Sequence, residues 1–369
     1  MSEKTERQLD LENLQKLQEE GKIDKETDLN AIADQLPQWR KSEKAEDKRN
    51  LAKYGREKNL DKLVDDPDDV VRYEVACRGR DKDLDKLVSD KSICVRQAVA
   101  RQGRGQDHDK LVGDKEWIVR YEVAGQGRDK DLDILVDDPA EPVRGKVAER
   151  GRDKDLDILV NDKADWVRLA VAKQGRDQDL DKLVDDPDWE VRKAVASQGR
   201  DKDLDQLVND KSIGVRYAVA EQGRDNDLDK LVDDKDWHVR VEVANQGRDK
   251  DLDRLVNDKD ADVRIAVLLK GRDKDLDQLV SDPDDEVKEA VAWHGRDEDL
   301  DILVFDKNAN VRKEVALHGR DKDLDILVDD ESACVRKAVV AQGRKQDLDQ
   351  LVNDPDDEVL EAARRGLER

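Results

Sequence analysis

The sequence predicts an all-α fold in which short paired helices stack into a solenoid of about 13 repeats. The first observation is a Gly-Arg pair that recurs every 24 residues from Gly55 to Gly343, with no insertion. The second is that capping residues and apolar spacings typical of helices return at fixed positions of each unit. The third is that one unit holds only about six core residues, too few to fold alone. Such a period indicates units that pack on their neighbours.

One unit shows how its helices are predicted, and its positions are numbered from Val191 (position 1) to Gly214 (position 24). Asp210 at position 20 is predicted to cap a long helix, because Asp followed by Lys or Pro is typical of a helix start. That helix should run about three turns to Gly223, where glycine takes the left-handed conformation. A shorter helix is predicted to begin near Asp201 or Asp203. Its apolar residues form one stripe, namely Leu204, Leu207 and Val208.

Two segments of the repeat carry a resemblance to a known family. Most repeats hold a segment of the form DLDxLVxD, and a segment of the form DPDxxVRxxVA follows it in residues 186–196. Together with the 24-residue period, these segments resemble the leucine-rich-repeat-variant family and, more broadly, HEAT-like helical repeats. The resemblance covers the chain from about residue 42 onwards. It implies a right-handed superhelix of short paired helices, α with α or α with 3₁₀, and a binding role without a particular ligand.

The chain is expected to consist of a terminal cap and one array. Residues 1–54 are predicted to form a helical cap: a helix around residues 9–17, a break at Gly21, a helix over 28–36 before Pro37, and a degenerate first repeat that starts at Ser42. Residues 55–369 are predicted to form the array and to end in a degenerate C-terminal cap, where Leu360 replaces an arginine. Atypical end units are expected because the ends of a stack need a polar outer face.

The composition of the chain excludes several classes of protein. Charged residues make up 44% of the chain and the net charge is −24, yet the strict apolar period argues against disorder. No apolar run is long enough to span a membrane, and the acidic N terminus does not resemble a signal peptide. The three cysteines are odd in number and occupy variable positions, which indicates a reducing compartment. We expect a cytoplasmic monomer without a membrane partner.

The positions that hardly vary are interpreted as structural. Position 2 is Arg in eleven of thirteen repeats, and positions 15 and 20 are Asp in all thirteen. The arginine is expected to reach the capping aspartate or its neighbour, because a catalytic site would not need thirteen copies. The DxDxD run of each short helix has the alternating acids of a calcium loop but no glycine at the sixth place. Stabilisation by the helix dipole is the favoured interpretation, and weak cation binding is the alternative.

The positions that vary most are interpreted as a partner-binding ridge. Positions 23, 3 and 7 are four residues apart on the long helix and share one face. They carry large apolar residues in some repeats and Asp, Glu or Lys in others, which is typical of a solvent-facing surface with aromatic anchors. The alternative is that these side chains fill gaps at the edge of the core. With Trp166 of position 24, the ridge comprises Tyr73, Ile93, Trp117, Tyr121, Trp166, Leu169, Trp189, Ile213, Tyr217, Trp237, Ile265, Leu269, Trp293 and Leu317.

The sequence lacks a nucleophile with a base partner, a glycine-rich phosphate loop and a Cys/His metal spacing, so we expect no enzyme, no catalytic residue, no metal and no cofactor. The leading hypothesis is a scaffold that binds a protein or peptide through the ridge, which the HEAT-like resemblance puts on the concave face. The first alternative is an acidic nucleic-acid mimic that binds a basic protein. A HEAT-like nucleic-acid-binding protein is less favoured, because acids outnumber basic residues 94 to 70.

Overall fold

The structure is a computed structural model that describes residues 5–368. These residues form 29 α-helices and no strand, so the predicted all-α class is confirmed. The chain divides into two compact units, Met1–Leu183 and Val184–Arg369, and each unit is a stack of helix pairs. Among residues 5–368, no helix is both long enough and apolar enough to cross a lipid bilayer.

The first unit begins with three helices that precede the regular pairs, namely α1 (Glu6–Glu19), α2 (Leu29–Trp39) and α3 (Ala45–Tyr54). The helices that follow alternate between short and long. They are α4 (Glu57–Leu63), α5 (Asp69–Cys77), α6 (Asp81–Leu87), α7 (Ile93–Arg101), α8 (Gly105–Leu111), α9 (Trp117–Gln126), α10 (Asp129–Leu135), α11 (Glu141–Glu149), α12 (Asp153–Leu159), α13 (Asp165–Lys173) and α14 (Asp177–Leu183).

The second unit continues the same alternation. Its long helices are α15 (Trp189–Ala196), α17 (Ile213–Glu221), α19 (Trp237–Asn245), α21 (Ala261–Leu268), α23 (Asp285–His294), α25 (Ala309–Leu317), α27 (Ala333–Ala341) and α29 (Asp357–Leu367). Its short helices are α16 (Asp201–Leu207), α18 (Asp225–Leu231), α20 (Asp249–Leu255), α22 (Asp273–Leu279), α24 (Asp297–Leu303), α26 (Asp321–Leu327) and α28 (Lys345–Leu351).

The long helices start two residues later than the sequence predicted. In α15 the capping side chain is Asp188 at position 22, which accepts hydrogen bonds from the backbone N–H groups of Glu190 and Val191. Asp186 at position 20 instead accepts from the backbone N–H of Asp188 at 2.9 Å. The prediction that position 20 caps the helix and that the following Pro begins it is therefore wrong, because this aspartate shapes the turn before the helix. The left-handed glycine at the other end is confirmed, with φ of 67° at Gly223.

The short helices begin close to the predicted residue, and the described ones are α-helical rather than 3₁₀. In α16, Leu204 and Leu207 are buried, as is Val208 just after the helix. Each short helix packs against the long helices before and after it within its unit, and successive long helices pack on each other. The shared core of stacked pairs is confirmed, whereas the right-handed superhelix stays a prediction.

The N-terminal helices depart from the prediction at Pro37 and Ser42. Helix α2 continues through Pro37 to Trp39, because a proline in the last turn costs one hydrogen bond while the Trp39 side chain, 7% exposed, gains burial. Helix α3 is capped at Lys44, and Ser42 accepts from the Lys44 N–H at 3.2 Å, so this helix also starts two residues late. The predicted boundary after residue 54 stays a prediction.

Arg78 joins α3 to the following repeat. Its Nη1 donates to the carbonyl oxygens of Ala52, Lys53 and Gly55, at 3.1, 3.2 and 2.8 Å. Burial lowers the pKa of Arg78 to about 10, which still leaves the guanidinium charged at neutral pH. The cation therefore satisfies carbonyls at the end of α3 that no helical N–H reaches.

Candidate binding surface

The ridge residues lie on the long helices, on the side turned away from the core. In α17, Val215 and Val219 are fully buried, whereas Ile213 is 43% exposed and Tyr217 is half-buried. The four-residue spacing of Ile213 and Tyr217 aligns them on one face of the helix. The sequence pattern therefore identified a face that is accessible to solvent.

None of the fourteen ridge residues belongs to the buried core. Seven are exposed: Ile93, Trp117, Trp189, Ile213, Leu269, Trp293 and Leu317. Seven are half-buried: Tyr73, Tyr121, Trp166, Leu169, Tyr217, Trp237 and Ile265. That the ridge binds a partner stays a prediction.

In the first unit the ridge lines a groove of about 460 Å³. Trp117 and Tyr121 meet edge to face there, with ring centroids 6.5 Å apart. The Nζ of Lys146 lies 5.3 Å from the centre of the Tyr121 ring. A hydrogen bond to Glu149 raises the pKa of Lys146, so this amine is a cation at neutral pH. The groove thus combines exposed ring faces with the ion pair of Lys146 and Glu149, whose atoms lie 2.7 Å apart.

Two ridge tryptophans rest on glycines of a neighbouring repeat. The Cζ3 atom of Trp166 lies 1.9 Å from the place where a Cβ on Gly145 would be, and Cζ3 of Trp189 lies 2.7 Å from the same place on Gly214. A larger residue at either glycine would collide with the indole ring. The Trp166 Nε1 also donates to Glu141 Oε2 at 3.2 Å. The gap-filling interpretation therefore explains one face of each of these two rings, the face that packs on the glycine.

In the second unit the most exposed part of the ridge is a row at position 7. Leu269, Trp293 and Leu317 come from three consecutive repeats and are 58%, 64% and 44% exposed. At position 23, Trp237 stacks on His238 with ring centroids 3.6 Å apart. In this row, apolar side chains are exposed to water. Other repeats carry polar residues at the same position, such as Glu221.

Hydrogen bonds link the ridge of one repeat to the next. Arg101 Nη2 donates to Glu122 Oε1 at 2.7 Å, and the Tyr217 hydroxyl donates to Glu242 Oε2 at 3.1 Å. Burial, together with the nearby Glu242 carboxylate, raises the pKa of Tyr217, which therefore stays a neutral donor. These two bonds tie a side chain at a ridge position to a glutamate of the following repeat.

The arginine at position 2 and the aspartate at position 20 form an arginine ladder between successive repeats. Arg216 donates through Nε and Nη2 to the carboxylate of Asp234 at 2.6 and 2.9 Å, and through Nη1 to the carbonyl oxygen of Asp210 at 2.8 Å. Both side chains are nearly buried, at 5% and 7% exposure. The structural interpretation of these residues is confirmed, because the ladder arginine donates hydrogen bonds to two other segments of the chain, as Arg216 does.

A second set of ion pairs, which the sequence did not predict, explains the DxDxD run. Arg200 at position 10 donates through Nε and Nη2 to both oxygens of Asp203, at 2.7 and 2.9 Å. Asp203 is the middle acid of the run and is 3% exposed. The prediction that the helix dipole stabilises these acids is therefore incomplete, because the arginine three residues earlier is the principal partner of the middle one.

Catalytic and metal-binding arrangements are not apparent in the part of the chain that the structure describes. No three His, Cys, Asp or Glu side chains are grouped there as a metal site requires. The buried His108 stands where other repeats have leucine, with Nε2 3.0 Å from the carbonyl oxygen of Ala100 and Nδ1 3.2 Å from Asp131 Oδ2. Asp131 is itself held by Arg128 at 2.7 Å. These contacts tie His108 into the packing of two repeats.

Sequence analysis missed a second group of exposed apolar residues, on the short helices. Position 16 is Lys, Arg or Gln in nine repeats and Ile in four, and Phe305 at position 19 is the only phenylalanine of the chain. The replacement of Lys, Arg or Gln by Ile at position 16 was the sequence signal that could have identified these residues. The group consists of Ile134, Ile158, Ile302, Phe305 and Ile326, which are 59%, 50%, 54%, 71% and 43% exposed.

The fold and the surfaces define the class of protein as a helical-repeat protein. No family model and no curated protein matches the chain. Among solved structures, the chain is similar to a leucine-rich-repeat variant with a repetitive structural motif, at 24% identity and a TM-score of 0.47 over 63% of this chain and 88% of that one. The expected resemblance to that family is confirmed to this extent.

Two other solved structures are similar at lower scores. One is an engineered protein, at 19% identity and a TM-score of 0.20 over 97% of this chain and 98% of that one. The other is a chain of the structure in which Kap95p binding induces the switch loops of RanGDP to adopt the GTP-bound conformation, at 12% identity and a TM-score of 0.39 over 98% of this chain and 61% of that one. The assignment to helical-repeat proteins rests on this chain's own units of paired helices.

Proposed function

We propose that this protein is a non-enzymatic repeat scaffold that binds a protein or peptide along the ridge. The observation that carries the proposal is that fourteen large apolar residues stand outside the core at positions where sister repeats hold charged residues. Trp117 at position 23 is 44% exposed, and Glu141 and Asp285 occupy the same position in other repeats. Since the scaffold accepts an acid there, the exposed indole is not required for packing.

The chemistry of the first-unit groove supports a peptide as the ligand. The rings of Trp117 and Tyr121 offer apolar faces, while Lys146 and the carboxylates of Glu122 and Glu149 offer charges of both signs within the same groove. Aromatic anchors beside a few polar groups are typical of surfaces that take apolar side chains from a partner. Placement of the ridge on the concave face belongs to this proposal as well.

The acidic-mimic alternative is less well supported, because many of the acids are not available to a partner. The ladder aspartates and the middle acid of each DxDxD run already accept hydrogen bonds from arginines, as Asp234 and Asp203 do. A mimic of nucleic acid needs exposed negative charges that a basic protein can reach. Part of the 94 acidic side chains is instead located beside internal guanidinium groups.

The test uses peptides selected from a random displayed library on the intact chain. We expect the triple variant Trp117→Ala, Trp189→Ala and Trp237→Ala to lose about 2 kcal/mol or more of binding free energy, roughly thirtyfold in Kd. The matched control is Ile134→Gln with Ile158→Gln, because these exposed residues lie on the short helices. A thermal melt of every variant shows whether folding is preserved.

Two outcomes would contradict the proposal. One is a triple variant that unfolds at a much lower temperature, as expected if the tryptophans were core residues. The other is binding that is equal in all variants and disappears at about 1 M salt, where the Debye length is about 3 Å. That second result would favour the acidic mimic over the aromatic ridge.

A further inference from the structure

The short helices of the second unit carry an exposed apolar cluster that the ridge does not include. Ile302 and Ile326 occupy position 16 of consecutive repeats, and Phe305 occupies position 19 between them. They are 54%, 43% and 71% exposed, which makes Phe305 the most exposed of the large apolar side chains in the described residues. Single exposed apolar residues are ordinary, but a contiguous group on a soluble scaffold marks an interaction site.

The stacking register brings the three side chains together. In other repeats the residue at position 16 reaches position 19 of the preceding repeat: Gln206 Nε2 donates to Asp185 Oδ1 at 2.6 Å, and Gln350 Nε2 donates to Asp329 Oδ1 at 2.6 Å. By the same register Ile326 lies beside Phe305. Within one repeat, the Phe305 N–H donates to the Ile302 carbonyl oxygen at 3.3 Å, so these two residues are one turn apart.

A charge reversal occurs at the same repeat. Lysines at position 12 usually pair with the aspartate at position 15 of the preceding repeat, as Lys274 does with Asp253 at 2.5 Å and Lys322 with Asp301 at 2.5 Å. In the repeat that carries Ile302, this lysine is replaced by Glu298, which has no ion pair in the described part of the chain. Glu298 and Ile302 are four residues apart on α24 and share a face.

The surroundings of the cluster are strongly acidic. Residues 297–307 and 321–331 together expose seven acidic residues and two lysines. The corresponding segments around Ile134 and Ile158, residues 129–139 and 153–163, expose five acidic residues and three lysines, and both position-12 lysines there keep their aspartate partners. The first-unit pair also lacks an aromatic residue at position 19. It is therefore a natural control for the second-unit cluster.

We propose that Glu298, Ile302, Phe305 and Ile326, here named the outer patch, form a second docking surface for a cationic amphipathic segment of a partner protein. The apolar side of such a segment covers Phe305 and the two isoleucines. Its lysines or arginines meet Glu298 and the surrounding carboxylates. The excess of acids at this patch excludes an acidic partner through like-charge repulsion.

The outer patch is independent of the ridge because it lies on different helices. Core residues separate the two surfaces within a repeat: Leu300 and Leu303 of α24 are 1% exposed, and Val311 and Val315 of α25 are fully buried. One scaffold could therefore hold a ridge ligand and a cationic segment at the same time. Failure of one surface in the tests below leaves the other surface untouched.

The experiment measures the binding of a fluorescein-labelled amphipathic Leu/Lys peptide to the intact chain by fluorescence anisotropy. The test variant carries Ile302→Gln, Phe305→Asn and Ile326→Gln, residues that sister repeats hold at these positions, so folding is preserved. We expect the Kd to rise by about tenfold or more, because an exposed aromatic anchor and its neighbours are removed without a change in charge. Glu298→Lys should also weaken binding, and more so at low salt.

Two control variants separate this patch from the rest of the acidic surface. Ile134→Gln with Ile158→Gln should leave the Kd unchanged. Glu221→Lys makes the same charge change as Glu298→Lys on an exposed residue of a long helix, and it should weaken binding less than Glu298→Lys does.

Several results would overturn the proposal. Equal binding of the peptide to the triple variant and the unmodified chain would do so, as would an equal loss in the first-unit control. Equal affinity for a Leu/Glu peptide of the same pattern would show that charge plays no part. Flotation of the chain with phosphatidylcholine vesicles that depends on Phe305 would assign the patch to a lipid surface, and self-association that the triple variant abolishes would assign it to a second copy.

Discussion

Two neighbouring residues of α17, Arg216 and Tyr217, belong to two faces of the long helix that follow opposite rules. Arg216 is nearly buried and repeats as arginine at almost every position 2, while Tyr217 is half-buried and its position 3 holds Lys, Glu, Val or Gly elsewhere. The arginine donates to Asp234 and to the Asp210 carbonyl, so three chain segments depend on it. The ridge residue has one hydrogen bond, to Glu242.

The comparison separates the constant positions, which stabilise the stack of repeats, from the variable positions, where we propose that a partner binds. A buried guanidinium fixes the carboxylate and the carbonyl around it, and losing either partner leaves a desolvated polar group. A residue on the surface already contacts water, so its replacement leaves no buried polar group without a partner. The predictions below compare the two faces, from the largest expected effect to the smallest.

Breaking the arginine ladder should have the largest effect on stability. Arg216→Met leaves the nearly buried Asp234 carboxylate without its guanidinium, and we expect a loss of about 3–5 kcal/mol in the free energy of unfolding. Urea unfolding followed by circular dichroism measures it. The matched control is Tyr217→Lys, the residue of other repeats at position 3, which should cost less than about 1 kcal/mol. Equal losses of unfolding free energy in both variants would show that the ladder face and the ridge face contribute equally to stability.

Acid should weaken the ladder as well. The hydrogen bond from Arg336 lowers the pKa of Asp354 below its ordinary 3.8, although burial acts in the opposite direction. A carboxyl whose pKa is lower in the folded chain stabilises the fold above its unfolded pKa, and this stabilisation is lost as the pH falls through the folded value. We therefore expect the melting temperature to be level from about pH 7 to pH 5 and to fall steeply below about pH 4.

The variant Arg336→Met is the control for the pH prediction. It should be less stable at neutral pH, and its stability should depend less on pH in the acid range, because the partner that lowers the pKa of Asp354 has been removed. A variant profile that stays parallel to that of the unmodified chain down to pH 3 would contradict the role given to this pair.

The ladder contains one natural weak point, Lys288, whose repair should have a moderate effect. Its Nζ lies 2.7 Å from Asp306 Oδ2 and 2.8 Å from Asp285 Oδ1. The regular Arg264 instead makes two bonds to Asp282 and one to the Asp258 carbonyl, all at 2.7 Å. Lysine has no planar fork for this geometry, so Lys288→Arg should stabilise the chain by about 1 kcal/mol. Lys313→Arg, on the ridge side of α25, should change nothing.

Periodicity predicted the fold better than it predicted the ends of the helices. The apolar positions identified the buried valines and leucines, such as Val215 and Leu204, because burial leaves few alternatives. Helix starts were misplaced by two residues, since Asp186 and Asp188 are both acceptable caps in sequence and only the backbone shows which one receives the helix N–H groups. Local propensity alone does not decide between two aspartates that are two residues apart.

The candidate surface was predictable only in part. Exposure of the ridge followed from the exchange of Trp for Glu or Asp between repeats, and Trp117 confirms it with 44% exposure. The glycines under Trp166 and Trp189 were not predictable, because Gly145 and Gly214 stand at variable positions and their partners come from adjacent repeats. The second set of ion pairs was also missed. The sequence indicates only that Arg200 belongs to a turn, and the structure is needed to show its contact with Asp203.

The smallest effect on stability is expected from Trp293→Asp on the ridge. The indole is 64% exposed, and the same position 7 holds Glu149 and Glu221 in other repeats. The substitution removes little buried area, so the free energy of unfolding should change by less than about 0.5 kcal/mol, as for most surface changes. Urea unfolding of the variant beside the unmodified chain measures the difference.

Trp39 provides the contrast for this last prediction within the same chain. Its ring is 7% exposed and stacks on Tyr54 with centroids 6.0 Å apart, so Trp39→Ala should cost about 3–5 kcal/mol. A loss of that size at Trp293 would place its ring among the packing residues and remove the most exposed anchor from the ridge. A neutral result, together with weaker binding of the peptides selected on the intact chain, would locate its contribution in recognition alone.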